Sequence, residues 1–253
     1  MRAAIITVAG ISSRFNEGIP EEQKILKAIY NEHNPQDTLL VHLIEKCAFA
    51  DRIIIVGGYM FDQLQSFVSV NLQKSFPQLV LVRNDHYADL ASGYSLYLGI
   101  NKALDLGADE LLFVEGDLDI DDESFKKIVD AEHTVLTYTT EPIYANKAVV
   151  LYKNEEDRFQ YAFNSVHGLL RIDNAFSCIL NSGQAWKFDN MEALKKANEL
   201  FFHLKKDGTN LWIIQQYIDS VPSDTISLVK LERWTNCNTR EDYNKILEGW
   251  RVK

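Results

Sequence analysis

Cysteine, proline and long apolar runs are all scarce in this chain, and each shortage removes a class of protein. Only three cysteines, Cys47, Cys178 and Cys237, occur in 253 residues. They are far apart and odd in number, with no CxxC pair and no histidine at zinc-ligand spacing, which argues against a disulfide or structural-zinc framework. A reducing, cytoplasmic setting is the expectation. No apolar stretch approaches the roughly 20 residues that cross a bilayer. The opening MRAAIITVAG has one charge before a brief apolar stretch and runs straight into a glycine turn. It reads as a buried first strand, not a signal segment. There is no internal repeat, low-complexity tract or Pro/Gly-rich linker, so one domain over 1–253 is expected. Positive charge is also short: 26 Lys and Arg against 36 Asp and Glu give a net charge of -10. Nucleic acid and anionic lipid would be repelled, so neither nucleic-acid binding nor membrane insertion is expected, although local groups can still hold a small anion. Neither a Walker A loop nor a GxGxxG fingerprint is present, and kinase and dehydrogenase readings gain no support.

What is present is an ordinary globular composition, 46% hydrophobic and 25% charged, patterned as alternating strands and helices. Strands are expected at 3–9, 53–58, 79–83 and 111–115, with helices at 38–49 (Thr38 as N-cap), 61–74 and 92–105. That alternation predicts a mainly parallel sheet with helices on both faces and ligands at the carboxyl ends of its strands. Beyond about residue 132 the pattern becomes mixed. Short strands are expected at 133–140, 147–152, 158–163 and 169–180, helices at 185–205 and 208–219, a strand at 225–231 and a final helix at 239–249. Three strand ends carry polar or glycine-rich sequence: 10–24, 84–95 and 116–121.

Three segments carry candidate chemistry. The first strand leads into Ala9-Gly10-Ile11-Ser12-Ser13-Arg14, with Lys24 a few residues on. Small residues let backbone N–H groups approach a polyphosphate, Arg14 adds a bidentate donor and Lys24 a mobile ammonium. Taken alone, this is also an ordinary β–α turn with two surface cations. In Val114-Glu115-Gly116-Asp117-Leu118-Asp119, a carboxylate leaving a buried strand suits a hard divalent ion. Asp117 is the first choice and Asp119 the second, while Asp121-Asp122-Glu123 fits a helix start. In Trp234-Thr235-Asn236-Cys237-Asn238-Thr239-Arg240-Glu241-Asp242, Thr239 and Asp242 fit a helix cap, leaving Asn236 and Asn238 as oxygen donors.

Together these segments resemble the MobA-like and sugar-nucleotide transferase superfamily. Its signature is an AGxxSR-type loop, a lysine two residues before leucine (Lys24, Leu26), a strand ending in an acid (Asp117) and a late Asn-x-Asn-Thr-x-Glu-Asp segment (236–242). Asn84-Asp85-His86-Tyr87-Ala88-Asp89 and Tyr94-Ser95-Leu96-Tyr97-Leu98 look most similar to bacterial phosphocholine cytidylyltransferases. The likeness covers roughly 1–125 and 230–246. It implies a GT-A/Rossmann-like three-layer α/β/α fold with a mixed, mainly parallel sheet. It also implies transfer of a nucleoside monophosphate, from CTP first of all, to a small phosphorylated or phosphonate acceptor, using Mg2+ and releasing pyrophosphate. Ala9, Gly10, Ser12, Ser13, Arg14 and Lys24 would bind the triphosphate, with Arg14, Lys24 and Asp117 catalytic. Asn84, Ser92, Gly93 and Ser95 would bind base and ribose, and Asp117 and Asn238 the metal. On this reading 1–131 is a nucleotide-binding half, 132–230 an acceptor half and 231–253 the metal-ligand segment with the last helix.

Two departures from the pattern matter: no proline precedes Lys24, so Lys27 competes for its role, and Asn238 stands where the phosphocholine enzymes tend to have Asp. On the acceptor side, Trp186, Trp212 and Trp234 are candidates for a cage around a quaternary ammonium, against the ordinary use of aromatics in cores. His167 is expected in an exposed loop rather than in catalysis, because an acceptor phosphate needs no base. A sugar-phosphate or molybdopterin-type transferase with another nucleotide, or a GT-A-like module that binds without turnover, are the alternatives.

Overall fold

The computed structural model describes residues 1–145, 149–163 and 169–251; His167 lies outside them. The first half alternates as expected: β1 (Arg2–Val8), α1 (Leu39–Lys46), β2 (Arg52–Gly57), α2 (Phe61–Asn71), β3 (Leu79–Arg83), α3 (Ser92–Asp105), β4 (Glu110–Glu115), a short β5 (Leu118–Ile120) and α4 (Asp122–Asp130). The second half adds β6 (Thr134–Thr139), β7 (Val149–Asn154), β8 (Phe159–Phe163), β9 (Phe176–Phe188), α5 (Met191–Leu204), α6 (Asn210–Ser220), β10 (Ile226–Lys230), β11 (Trp234–Asn236) and α7 (Arg240–Arg251).

The main sheet runs β10-β6-β9-β4-β1-β2-β3, with β7 and β8 attached to β9. Strands β4, β1, β2 and β3 are mutually parallel, as are β10 and β6, while β9 runs antiparallel to β4 and β6. Period-2 alternation divides the central strands between two cores. Ala4, Ile6, Ile53, Ile55, Leu112 and Val114 pack with Leu40 and Ile44 of α1, Leu64 of α2 and Phe125 of α4. Ala3, Ile5, Ile54, Val56, Leu111 and Phe113 pack with Leu96 and Ile100 of α3, Leu194 and Phe201 of α5 and Ile214 and Tyr217 of α6. Each buried Ile, Leu, Val or Phe among them contributes about 1.5–3 kcal/mol before chain entropy is subtracted. The three-layer fold with a mixed, mainly parallel sheet is therefore the one expected. Among the described residues no helix is long and apolar enough to cross a membrane.

The expected helix at 185–205 needs correction. Its first residues belong to β9, and α5 begins only at Met191. Ala185 faces one core and Trp186 and Phe188 the other, while Lys187 is buried on the Ala185 face against the Val129 and Ala131 carbonyls and Glu110, so no solvent-facing side marks this strand in the sequence. Gly183 and Gln184 lie at an irregularity in the β6–β9 pairing, with Gln184 in left-handed backbone at φ +56°.

Capping fixes the elements nearest the site. Thr38 accepts from the Val41 N–H at 3.2 Å, as expected. Thr239 and Asp242 cap α7 reciprocally: Thr239 N–H donates to Asp242 Oδ2 at 2.8 Å and Asp242 N–H to Thr239 Oγ1 at 3.2 Å. Asp121 caps α4 by accepting from Ser124 N–H at 2.8 Å and also accepts from Arg233 N–H at 3.0 Å. Burial raises its pKa, but these bonds and the Arg233 charge outweigh that, and the carboxyl is held below its ordinary value. A depressed carboxyl stabilises the fold above its unfolded pKa and ceases to do so as pH falls through the folded value. Asp121→Asn should therefore cost about 1–3 kcal/mol near neutrality, and the gap to wild type should shrink below about pH 4 in urea unfolding.

The cysteines differ in the same physical way. Burial pushes the Cys47 and Cys237 thiols up to about 12, whereas Cys178 is exposed on β9. Iodoacetamide at about pH 8 should add one label to the native protein and three to the denatured chain, read by intact mass.

Candidate active site at the ends of β1 and β4

The loop after β1 is built on Ser12, which sits in left-handed backbone at φ +57°. Its carbonyl accepts from Asn16 N–H at 3.0 Å and from Asn16 Nδ2 at 3.2 Å. Asn16 is buried, and its amide also donates to the Ile25 carbonyl at 2.9 Å and accepts from Ile25 N–H at 3.2 Å. One side chain thus ties the glycine loop to the 24–27 segment. Leu26, Ala28 and Ile29 anchor that segment in the core, which leaves Lys27 to reach the cleft. Lys27 Nζ lies 3.0 Å from Asp117 Oδ2. Lys24 instead pairs with Glu21 on a single exposed turn. Of the two competing lysines, the structure brings Lys27 to the acid.

Gly116 makes the turn after β4 possible. A Cβ there would lie 2.3 Å from Val8 Cγ1 and 2.7 Å from the Thr7 carbonyl, so the chain can cross β1 only without a side chain. Glu115 lies on the face shared with Leu111 and Phe113, and its Oε1 accepts from Asn210 Nδ2 at 2.6 Å. Burial and the neighbouring Asp117 charge raise the Glu115 pKa, against the opposing Asn210 hydrogen bond and Lys27 charge. Asp117 Oδ1 is buried without a hydrogen-bond partner. Asp119, the second choice from sequence, is buried elsewhere: it pairs with Arg233 and accepts from Trp250 Nε1 at 3.0 Å. It is structural.

Strand pairing delivers the late asparagines. β11 runs antiparallel to β5 with Asn236 opposite Leu118, and Cys237 N–H donates to the Asp117 carbonyl at 2.8 Å. Asn238 N–H is held by Asp242 at 2.9 Å, and Asn238 Oδ1 accepts from Arg14 Nη2 at 2.7 Å. Asn236 Oδ1 is, with Asp117 Oδ1, a buried oxygen without a partner. These donors suit a hard cation such as Mg2+, which requires few protein ligands. Among the described residues no group of three or more His, Cys, Asp or Glu is arranged to hold a metal.

Two cavities meet here. The first, about 310 Å³, is lined by Ala9, Gly10, Ser12, Lys27, Asn84, Ser92 and Ser95. The second, about 810 Å³, is lined by Arg14, Glu141, Gln184, Trp234, Asn236 and Asn238. Glu115 and Asp117 line both. Asn84 frames the first cavity with both amide ends engaged, donating to Ser95 Oγ at 2.9 Å and accepting from His86 N–H at 2.8 Å.

Five of the expected site residues stand apart. Ser13 and Lys24 line neither cavity, and Gly93 is packed behind Ser92 against the Gly208 carbonyl. Trp186 is buried in the core beneath α3, α5 and α6, and Trp212, on α6 itself, is half-buried and packs against that core. There Trp186 stacks on Phe113 at 5.1 Å and donates to Tyr161 Oη at 2.7 Å. Of the three candidate tryptophans, only Trp234 lines either of these two cavities, and the three do not come together. Sequence reasoning passed over Asn16, Glu115 and Asn210; nothing local marks Asn16 or Asn210, while Glu115 stood next to a recognised acid.

Residues 23–250 match the sequence profile described as a domain of unknown function, DUF6564. The chain belongs to that family. No curated protein matches this DUF6564 chain in sequence. Solved structures share its fold nearly end to end. The CTP:phosphocholine cytidylyltransferase of Streptococcus pneumoniae is 19% identical with a TM-score of 0.68, covering 98% of this chain and 99% of the other. The inositol-1-phosphate CTP transferase of T. maritima is 17% identical with a TM-score of 0.68, covering 98% and 94%. HddC from Yersinia pseudotuberculosis, solved with GMP-PN, is 15% identical with a TM-score of 0.63, covering 99% and 100%. This DUF6564 protein therefore has the nucleotidyltransferase fold.

Proposed function

We propose that this protein is a nucleotidyltransferase that moves a nucleoside monophosphate, from CTP first of all, to a small phosphorylated acceptor with release of pyrophosphate. The observation that carries this reading is the shared wall: Glu115 and Asp117 line both cavities, as a reaction between two bound substrates requires. Residues 1–131 would form the nucleotide-binding half, with the triphosphate along the 9–12 loop and Lys27. The 132–230 half, with 231–253, would hold the acceptor and present Asn236 and Asn238 to Asp117.

The residues act by positioning and charge. The loop N–H groups and Lys27 receive negative charge that grows on the leaving pyrophosphate. Arg14, held on Asn238 at 2.7 Å, offers a second cation from the acceptor side. A phosphate oxygen of the acceptor attacks the α-phosphorus, the bond to the β-phosphate oxygen breaks, and no protein base takes a proton. Mg2+, held by Asp117 with Asn236 or Asn238, would supply Lewis-acid neutralisation of phosphate charge. With a cavity rich in amides (Asn181, Gln184, Asn236, Asn238) and holding a single tryptophan, the acceptor side favours a ligand recognised by hydrogen bonds.

A pyrophosphate-release screen crossing four nucleoside triphosphates with phosphocholine, aminoethylphosphonate, glycerol phosphate and hexose 1-phosphates tests the reading. Magnesium-dependent release with one acceptor class is expected. Magnesium-dependent nucleotide binding without release on any acceptor would favour a binding module instead.

A further inference from the structure

Glu115 is held from behind by a residue that neither motif nor resemblance singles out. Asn210, the first residue of α6, is 4% exposed. Its Nδ2 donates to Glu115 Oε1 at 2.6 Å, its backbone N–H donates to Ser92 Oγ at 3.2 Å, and its Oδ1 accepts from Ser92 Oγ at 3.4 Å. Ser92 opens α3 and lines the first cavity, while Glu115 lines both. The support beneath this link is tight: Gly93 N–H donates to the Gly208 carbonyl at 3.2 Å, and a Cβ at Gly93 would lie 2.5 Å from that oxygen. The start of α6 is therefore seated directly on the first turn of α3.

Volume alone does not explain an asparagine here, since leucine would fill the space without burying an amide that needs partners. The neighbouring charges do explain it. Glu115 and Asp117 leave one strand end two residues apart, and Lys27 stands 3.0 Å from Asp117. A Glu115 carboxylate free to rotate would compete for Lys27 and crowd Asp117. The Asn210 amide gives Glu115 a fixed partner on the α3/α6 side, away from that pair.

We propose that Asn210 is a positioning residue of the reaction centre, which sets the Glu115 carboxylate at the shared cavity wall and ties that setting, through Ser92, to the α3 turn facing the nucleotide cavity. The role in turnover rests on the proposed nucleotidyl transfer; the physical link does not.

Two readouts test it. In turnover, Asn210→Ala should lower kcat by about 10- to 100-fold, the usual cost of losing an outer supporting partner, with the nucleotide KM within about threefold. The double variant Asn210→Ala/Glu115→Gln should be no worse than Glu115→Gln alone, because both changes remove the same setting. Multiplying losses would overturn the positioning role. Without any substrate, the Asn210 side-chain amide should give a slowly exchanging signal in 1H–15N spectra, assigned by its absence from Asn210→Ala. Glu115→Ala should shift that signal and speed its exchange while the backbone spectrum stays folded; an unmoved signal would overturn the link itself. If wild type releases no pyrophosphate with any substrate pair, the proposed function fails, and the amide signal still decides whether Asn210 holds Glu115.

Discussion

Asp117→Ala is expected to lower magnesium-dependent pyrophosphate release by about 10³-fold, roughly 4 kcal/mol of transition-state stabilisation. The fold should survive, because it is the Asp117 carbonyl, not the carboxylate, that bonds Cys237 N–H at 2.8 Å and secures the late asparagines. The side chain itself gives one oxygen to Lys27 and keeps the other without a partner. A melting temperature within about 3 °C of wild type, together with lost turnover, is the expected pair of results. Near-wild-type turnover would remove Asp117 from the chemistry and with it the shared-wall reading.

Lys27→Ala should cost about 10²-fold in kcat/KM, whereas Lys24→Ala should stay within about threefold of wild type. The lysines are three residues apart, but their surroundings differ. Lys27 is flanked by the buried Leu26 and Ala28 and reaches Asp117; Lys24 pairs with an exposed Glu21 side chain on a short turn. Steady-state kinetics with the nucleotide varied separates them, and a larger loss at Lys24 would mean that the loop rearranges when nucleotide binds.

That contrast also marks how far the sequence could be read. Strands 1 to 4 and α3 were legible because buried parallel strands are continuous apolar runs and α3 has clear helical periodicity. β9 was not, because strand positions 185–188 are buried on both faces and follow a glycine. Asp117 was legible from its place at a strand end. The choice between Lys24 and Lys27 was not, since it depends on Asn16, a buried amide bonding Ile25 across the loop at 2.9 Å and 3.2 Å. Asn210 reaches Glu115 across 95 residues of chain, and no local pattern encodes such a meeting. Aromatic residues misled for the opposite reason. Trp186 and Trp212 have the chemistry of a cationic cage, but the burial of Trp186 beneath three helices and the packing of Trp212 against the same core are properties of the folded chain.

The most direct measurement is a crystal structure with CTP and Mn2+, the cation located by its anomalous signal. The account predicts a peak against the Asp117 carboxylate, the triphosphate along residues 9–12 within reach of Lys27, and the nucleoside in the cavity lined by Asn84 and Ser92. A nucleotide bound away from that cavity, or manganese on another surface with Asp117 still joined only to Lys27, would contradict it.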